Sequence, residues 1–191
     1  YRWQLHLLEQ DLLRMLRVFE TEFEDIQFGE LGASQARLRA AQEELIPHTR
    51  LALETLTPPP ALAGLHHDVH QALADLENAY EYYLNGRGND FINALFHCRQ
   101  LFIRAVAALY SLRADLPVVS RYFLIPALHD QIPYREQPDG AGVQVPVGVV
   151  RVPANDDHEA FSLYVPEDYD PAGAPRPLIV CLHGASGSGE E

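Results

Sequence analysis

The feature that most constrains the fold is a helical repeat of apolar side chains over roughly the first 113 residues. In the first segment these side chains recur every three or four positions: Leu5, Leu8, Leu12, Met15, Phe19, Phe23 and Ile26. That spacing places them on one stripe of an α-helix. Because a single helix has nothing against which to bury such a stripe, the pattern predicts several helices around a shared core.

A second segment continues the pattern. Gly29 and Gly32 are expected to end the first helix, and Ser34 is expected to cap the second. Pro47 is expected to kink or break the second helix, because proline lacks a backbone N–H and its ring crowds the preceding turn. The apolar pattern of this segment runs through Leu38, Ala41 and Leu45 and is expected to resume after the proline through Leu51 and Leu56.

The third and fourth helices follow a triple proline at residues 58–60 and an Asn-Gly-Arg-Gly turn at residues 85–88. Proline is tolerated in the first turn of a helix, and Asn89 or Asp90 can cap the fourth helix. The inward positions of the third helix are Leu62, Leu65, Val69, Ala72, Leu76, Tyr80 and Tyr83. Those of the fourth are Phe91, Leu95, Cys98, Phe102, Ala105, Leu109 and Leu112.

Four amphipathic helices of roughly 20 to 28 residues, joined by short connections, predict an antiparallel up-and-down four-helix bundle over residues 1–128. A short fifth helix is expected from about Pro117 to Ile125, folded against one end. A helical repeat array would need self-similarity at a fixed period, which the sequence lacks. The predicted fold class is therefore mainly α, with residues 129–142, which contain several prolines and glycines, as a linker.

The pattern changes after this linker. Residues 143–152 and 160–165 are strand candidates, and the turn residues at 153–157 favour an antiparallel pair. Residues 177–182 form a short, unbroken apolar run, which is typical of a strand covered on both faces in a parallel sheet. This run leads directly into the sequence His-Gly-Ala-Ser-Gly-Ser-Gly at residues 183–189.

The sequence Phe161-Ser-Leu-Tyr-Val-Pro-Glu-Asp-Tyr-Asp-Pro171, followed by Pro177-Leu-Ile-Val-Cys-Leu-His-Gly184, resembles the start of esterase-type α/β-hydrolases. The most similar groups are the phospholipase/carboxylesterase, polyhydroxybutyrate-depolymerase-like and prolyl-oligopeptidase-like families. The resemblance covers about residues 143–191 and implies the first strands of a truncated α/β-hydrolase sheet. In that fold the loop after the buried third strand donates one backbone N–H to the oxyanion hole.

The resemblance makes the backbone N–H of Ala185 the oxyanion-hole donor, with Ser186 as the second choice. Acyl transfer builds negative charge on the former carbonyl oxygen, and a preorganised N–H stabilises that charge. Gly184 permits the sharp turn, and His183 orients the loop without acting as the catalytic base. In the family order the nucleophile elbow comes two strands later, so the catalytic triad is expected after Glu191.

The implied activity is cleavage of a small-molecule carboxylic ester by a serine hydrolase through an acyl-enzyme, without a metal or a cofactor. Residues 1–191 by themselves are expected to be inactive, because they contain no triad. The alternative belongs to a different class of function. In that case the helical bundle binds a protein or a ligand, and the chain carries no catalysis.

Three other interpretations of the glycine-rich loop are disfavoured by its spacing. A phosphate-binding loop needs a lysine where Glu190 stands. A dinucleotide-binding fingerprint needs a different spacing of its glycines. A nucleophile elbow at Ser186 would need a glycine where Ser188 stands.

Histidines within the helices are candidate metal ligands. His66 and His70 are four residues apart and could share a metal from one helix face. The core stripe of the third helix turns His67 and His70 outward, so a solvated histidine face is the favoured interpretation. Glu44 and His48 lack the Glu-x-x-His spacing of di-iron bundles, and no metal site is predicted there.

Two other groups of side chains have a structural interpretation. An aromatic group could line a ligand groove but is expected to form the wide end of the core: Tyr80, Tyr82, Tyr83 and Phe91. An acidic run is interpreted as a solvated face: Glu20, Glu22, Glu24 and Asp25.

Composition restricts the partners. The net charge is −13, and the chain has no lysine. No basic face is available for phosphates, so neither nucleic acid nor an anionic membrane is an expected partner. Cys98 and Cys181 do not make a disulfide framework, which favours a reducing, cytoplasmic location. No membrane span or signal peptide is predicted, and a homo-oligomer formed through the bundle is compatible with the sequence.

Overall fold

The structure, a computed structural model, describes residues 1–24, 26, 28–124, 126, 129, 148–152, 161–166 and 168–181. The chain divides into two compact units, Tyr1–Tyr134 and Arg135–Glu191. Most of the described residues are helical, so the predicted mainly α composition is confirmed. None of the described helices is both long enough and apolar enough to cross a membrane.

Four long helices dominate the first unit: α1 (Arg2–Glu24), α2 (Leu31–Thr55), α3 (Ala63–Asn85) and α4 (Phe91–Ser111). Short 3-10 helices lie at Phe28–Glu30, Pro60–Leu62, Gly88–Asp90 and Val119–Phe123. The first three lead directly into α2, α3 and α4, so each of these helices begins from a tightened turn. The fourth stands where a fifth helix was predicted and is five residues long.

Helices α1 and α2 run antiparallel. Arg14 donates a hydrogen bond to Glu44 at 3.0 Å, and His48 Nδ1 lies 2.8 Å from a carboxylate oxygen of Asp11. Residue numbers therefore rise along one helix as they fall along the other. Glu44 and His48, at which no metal site was predicted, each contact a charged partner on α1.

Helices α3 and α4 also run antiparallel and form the most extensive helix–helix interface of the described residues. Arg104 Nε donates to Asp75 Oδ2 at 3.2 Å, and a second guanidinium nitrogen bonds to the other carboxylate oxygen. Near the other end, the rings of Tyr82 and His97 lie 5.4 Å apart. The short turn between the two helices forces this return.

One hydrophobic core joins the four helices, with Phe19 at its centre. The Phe19 ring stacks on Phe102 at 4.6 Å and lies 5.3 Å from the ring of Tyr80 and 6.2 Å from that of Tyr83. The predicted inward positions of α1 and α4 lie in this core or pack against it, as do those of α3 from Leu65 onward. Local apolar spacing therefore predicted the buried faces of these three helices correctly.

Helix α2 differs from the prediction because it continues through Pro47 without a break. A continuous helix keeps the phase of the apolar stripe, so Thr49 and Leu53 are buried with Leu45. Leu51, through which the apolar pattern was expected to resume, is 60% exposed, whereas Leu56 is buried. Buried side chains on both sides of Pro47 hold the helix together despite the backbone hydrogen bond lost at the proline.

The predicted helix boundaries are also corrected. Helix α1 ends before Gly29, which lies in a 3-10 helix, and Gly32 lies inside α2. Ser34 does not cap α2, because it is buried inside the helix with its Oγ 2.8 Å from the Tyr83 hydroxyl. Asp90 occupies the N-cap position of α4 without a side-chain cap bond. Tertiary packing and hydrogen bonding outweigh local capping preference at these ends.

The described strands of the second unit form an antiparallel pair. Strand β1 (Gly148–Val152) pairs with β2 (Phe161–Val165), with Gly148 opposite Val165 and Val152 opposite Phe161. Both strands fall within the segments where strands were predicted. The turn predicted at residues 153–157 lies outside the described residues.

Candidate functional site

The predicted oxyanion-hole loop lies outside the described residues. His183, Gly184, Ala185 and Ser186 all fall within residues 182–191, which the structure does not describe. The described chain reaches Cys181, two residues before His183.

Two turns follow β2, the first beginning at Pro166 of the Tyr-Val-Pro motif and the second at Asp170 of the Tyr-Asp-Pro motif. The N–H of Tyr169 donates to the carbonyl of Pro166 at 3.0 Å, and the N–H of Gly173 donates to the carbonyl of Asp170 at 3.0 Å. The Asp170 carboxylate accepts a further bond from the N–H of Ala172 at 2.9 Å. Asp170 therefore forms an Asx turn, which explains an aspartate followed by proline at this point.

A fork-shaped ion pair closes the loop after these turns. Arg176 donates to both carboxylate oxygens of Asp168, at 2.9 and 3.1 Å, and to the backbone carbonyl of Asp168 at 3.0 Å. The hydrogen bond to Asp168 raises the pKa of Arg176. Because both side chains are exposed, water screens the pair, and it contributes mainly to the shape of the loop.

The apolar run before the predicted oxyanion loop forms no strand in the described residues 177–181, so the predicted buried strand is wrong for this chain. Leu178, Ile179 and Val180 are 75%, 83% and 69% exposed. A strand covered on both faces needs neighbouring strands and overlying helices. The strands that the structure describes, β1 and β2, pair with each other and supply no such cover.

The histidines of α3 differ in burial. His66 and His70 are half-buried and His67 is exposed, so a solvated histidine face describes only His67. The rings of His66 and His70 lie 5.7 Å apart, with their planes at 66°. The hydroxyl of Tyr1 lies 3.3 Å from Nδ1 of His66. Burial, and secondarily the neighbouring His70, lower the pKa of His66 below 6.5, so its imidazole is neutral at pH 7.

Three of the four aromatic side chains in the predicted group form core and not a groove. Tyr80, Tyr83 and Phe91 are buried, as expected for the wide end of the core. The Tyr80 hydroxyl donates to the backbone carbonyl of Met15 at 2.9 Å, and burial raises its pKa. Tyr82 is the exception, since its side chain is 46% exposed.

Tyr82 borders an open depression of about 470 Å³ at the turn between α3 and α4. Its polar lining is Asn78, Glu81, Asn85, Arg87 and Asp90. Depressions with several convergent polar groups are candidate ligand sites, although ligand pockets are usually more apolar and more enclosed. The sequence pattern singled out Tyr82 as a candidate groove residue, whereas Asn85, Arg87 and Asp90 were predicted only as turn and capping residues.

Three acidic side chains were not predicted to be buried. Glu22, which was assigned to a solvated acidic face, is 8% exposed and bonds to both sides of the Arg37 guanidinium fork, at 2.5 and 2.8 Å. Glu22 comes three residues after Phe19, so the helical repeat places it on the same inward stripe. This spacing could have predicted from the sequence that Glu22 is buried. Glu9 and Asp75 are 2% and 6% exposed.

Searches for related proteins add no family assignment. No family model, no curated protein and no solved structure matches this chain. Among the described residues, no group of three or more histidine, cysteine, aspartate or glutamate side chains is arranged to hold a metal ion.

Proposed function

We propose that the second unit is the first part of the catalytic domain of a serine hydrolase that cleaves carboxylic esters through an acyl-enzyme. The observation that carries this proposal is the ordered set of motifs from Tyr-Val-Pro through Tyr-Asp-Pro to the apolar run and His183-Gly184. The antiparallel pair of β1 and β2 directly upstream supports it, since that fold begins with such a pair.

In this proposal Ala185 donates its backbone N–H to the developing oxyanion, and Ser186 is the alternative donor. Gly184 allows the sharp turn, and His183 orients the loop. One donor of this kind typically lowers the barrier by ~2.7–4 kcal/mol. The nucleophile, the acid and the base come later in the family order, after residue 191. The chemistry needs no metal or cofactor.

The exposed side chains of Leu178, Ile179 and Val180 also support the proposal. Three adjacent large apolar side chains, each more than two-thirds exposed, lose favourable burial energy on a free surface. The later strands and helices of a hydrolase domain would cover them.

The test replaces the proposed donor in the full-length parent protein. Ala185→Pro removes the N–H, and Ala185→Gly keeps it as the matched control. With p-nitrophenyl acetate as substrate, we expect Ala185→Pro to lower kcat by roughly 10²–10³-fold while Ala185→Gly changes it little. The proposal fails if the parent protein lacks a Gly-x-Ser-x-Gly elbow, or if both variants keep full activity.

An activity assay of residues 1–191 alone distinguishes this proposal from the alternative in which Ser186 is the nucleophile. We expect no hydrolysis of p-nitrophenyl acetate above background, because the triad lies elsewhere. Turnover that Ser186→Ala abolishes would instead make Ser186 the nucleophile and contradict the proposed role of the loop.

For the helical unit the proposal is an up-and-down four-helix bundle. The antiparallel contacts of α1 with α2 and of α3 with α4 support it. So do the contacts of α1 with α3, which fit parallel helices: Tyr1 with His66, and Met15 with Tyr80. Diagonal helices of such a bundle run parallel.

A second candidate function is a ligand-binding role for the helical unit without catalysis. The polar depression between α3 and α4 favours it. A thermal-shift screen of small polar ligands against the wild type and Arg87→Ala distinguishes the two. A shift seen only in the wild type supports binding at the depression, and equal shifts in both proteins exclude it.

The proposal includes assembly of the helical unit into a homo-oligomer and a cytoplasmic location. Two separate pairs of exposed apolar side chains support the oligomer, each pair one turn apart on its helix: Trp3 and Leu7 on α1, and Ile92 and Phe96 on α4. Both cysteines are free, which supports a reducing compartment. Sedimentation of residues 1–128 tests the oligomer, and a clean monomer contradicts it.

A further inference from the structure

We propose that His66 and His70 form a two-histidine binding site for a divalent transition-metal ion of the Zn²⁺ class on α3. Residues four apart lie above one another on a helix face. The two rings lie 5.7 Å apart at 66°, within reach of one ion after small side-chain rotations. This site is independent of the proposed ester hydrolysis.

The chemistry of the pair suits such an ion. Neutral imidazole is a ligand for Zn²⁺, Ni²⁺ and Cu²⁺, which share a preference for nitrogen donors. Tyr1 contacts Nδ1 of His66, and this contact leaves Nε2 as the coordinating nitrogen. A hydrogen bond to the second ring nitrogen is the usual support of a metal-binding histidine, because it fixes the tautomer and the ring orientation.

The charges around His70 are mixed. It borders a depression of about 230 Å³ that Arg50, Glu54 and Glu77 also line, and Arg50 is paired with Glu77. The chain has a net charge of −13, which raises the local concentration of cations. No third side chain from the described residues completes a three-ligand site, so water fills the remaining coordination positions.

The experiment titrates residues 1–191 with ZnCl₂ by isothermal calorimetry and follows the thermal unfolding midpoint at increasing Zn²⁺. A site formed only by the folded helix stabilises the folded state, so we expect the midpoint to rise with Zn²⁺ and to fall back on adding EDTA. His70→Ala should weaken binding by at least the roughly 10–100-fold that loss of an outer-shell partner costs.

His67→Ala is the matched control, because His67 is an exposed histidine on the same helix. We expect it to bind Zn²⁺ as the wild type does. His66→Gln provides a second variant with a smaller change in packing, and circular dichroism verifies that both site variants are folded. The proposal is overturned if the wild type shows no binding, or if folded His70→Ala and His66→Gln bind as tightly as His67→Ala.

Discussion

At the scale of single residues, Glu9 is a buried side chain with an ionisable carboxylate, and burial disfavours its charged form. Its carboxylate accepts hydrogen bonds from the backbone N–H groups of Val118 at 2.6 Å and Val119 at 3.3 Å. Burial nevertheless raises the pKa of Glu9 above its ordinary value of 4.5, and the two backbone donors offset only part of that effect. The charged form is therefore less favourable in the folded protein than in the unfolded chain.

This raised pKa predicts a pH dependence for Glu9→Gln. As the pH falls from 7 through the raised pKa towards 4.5, the folded wild type binds a proton before the unfolded chain does. The free energy of unfolding of the wild type should therefore rise relative to that of Glu9→Gln over this window. Urea unfolding of both proteins at pH 7 and pH 5 measures it. The same trend for Glu43→Gln, at an exposed position of α2, would contradict the assignment to Glu9.

Gly86, at the end of α3, is required for close packing and not for an unusual backbone angle. Its φ is −63°, which any residue adopts. A Cβ there would lie 2.9 Å from the side chains of both Ala94 and Phe91, and 3.2 Å from the carbonyl of Tyr82. Helices α3 and α4 can approach each other this closely at Gly86 only because glycine has no side chain.

We expect Gly86→Ala to lower the free energy of unfolding by about 1–3 kcal/mol, the usual cost of forcing extra volume into a packed site. Gly64→Ala, near the start of the same helix, is the control, because a Cβ there meets nothing within 4 Å. Alanine is the better helix former, so Gly64→Ala should cost nothing. Urea denaturation midpoints compare the two, and equal effects would refute the packing argument.

At the scale of the elements, hydrogen bonds and ion pairs fix how the helices align along their lengths. The pairs of Arg37 with Glu22 and of Arg104 with Asp75 join neighbouring helices, and each includes a buried carboxylate. Every buried side-chain nitrogen and oxygen in the described part of the chain has a hydrogen-bond partner. Apolar packing alone would tolerate sliding of one helix along another, whereas a buried polar group left unpaired is costly.

The bond from Tyr80 to the backbone of Met15 joins α3 to α1 across the core. We expect Tyr80→Phe to lower the free energy of unfolding by about 1 kcal/mol, the typical net contribution of one hydrogen bond. Tyr82→Phe removes the same atom from a half-exposed side chain and should change stability by less than about 0.5 kcal/mol. Thermal unfolding of both variants measures the difference, and a larger loss for Tyr82→Phe would be inconsistent with this account.

At the scale of the whole molecule, the hydrophobic core formed by the described residues lies within the first unit. Its buried members run from Leu5 to Val119. We therefore expect residues 1–134 to fold alone, with one cooperative thermal transition by far-ultraviolet circular dichroism. Residues 1–115 are the matched comparison, because they lack the buried side chains of Leu116, Val118 and Val119. Their midpoint should be clearly lower, and equal midpoints would show that the last 3-10 helix is dispensable.

The sequence by itself determined the four helices, the inward faces of α1, α3 and α4, and the positions of β1 and β2. These features depend on spacing between residues close in the chain, and local spacing is what a sequence displays directly. It also singled out the histidines of α3, although not their burial.

Only the tertiary structure decided which partners the buried polar groups bond to. Glu9, Glu22 and Ser34 each bond to a residue on another element, and nothing near them in the sequence identifies that partner. The phase of α2 beyond Pro47 and the exposure of the apolar run at residues 177–181 have the same origin. Whether each of these segments is buried depends on which other elements pack against it in the folded protein. The free energy of burial comes from those contacts, and local sequence does not display them.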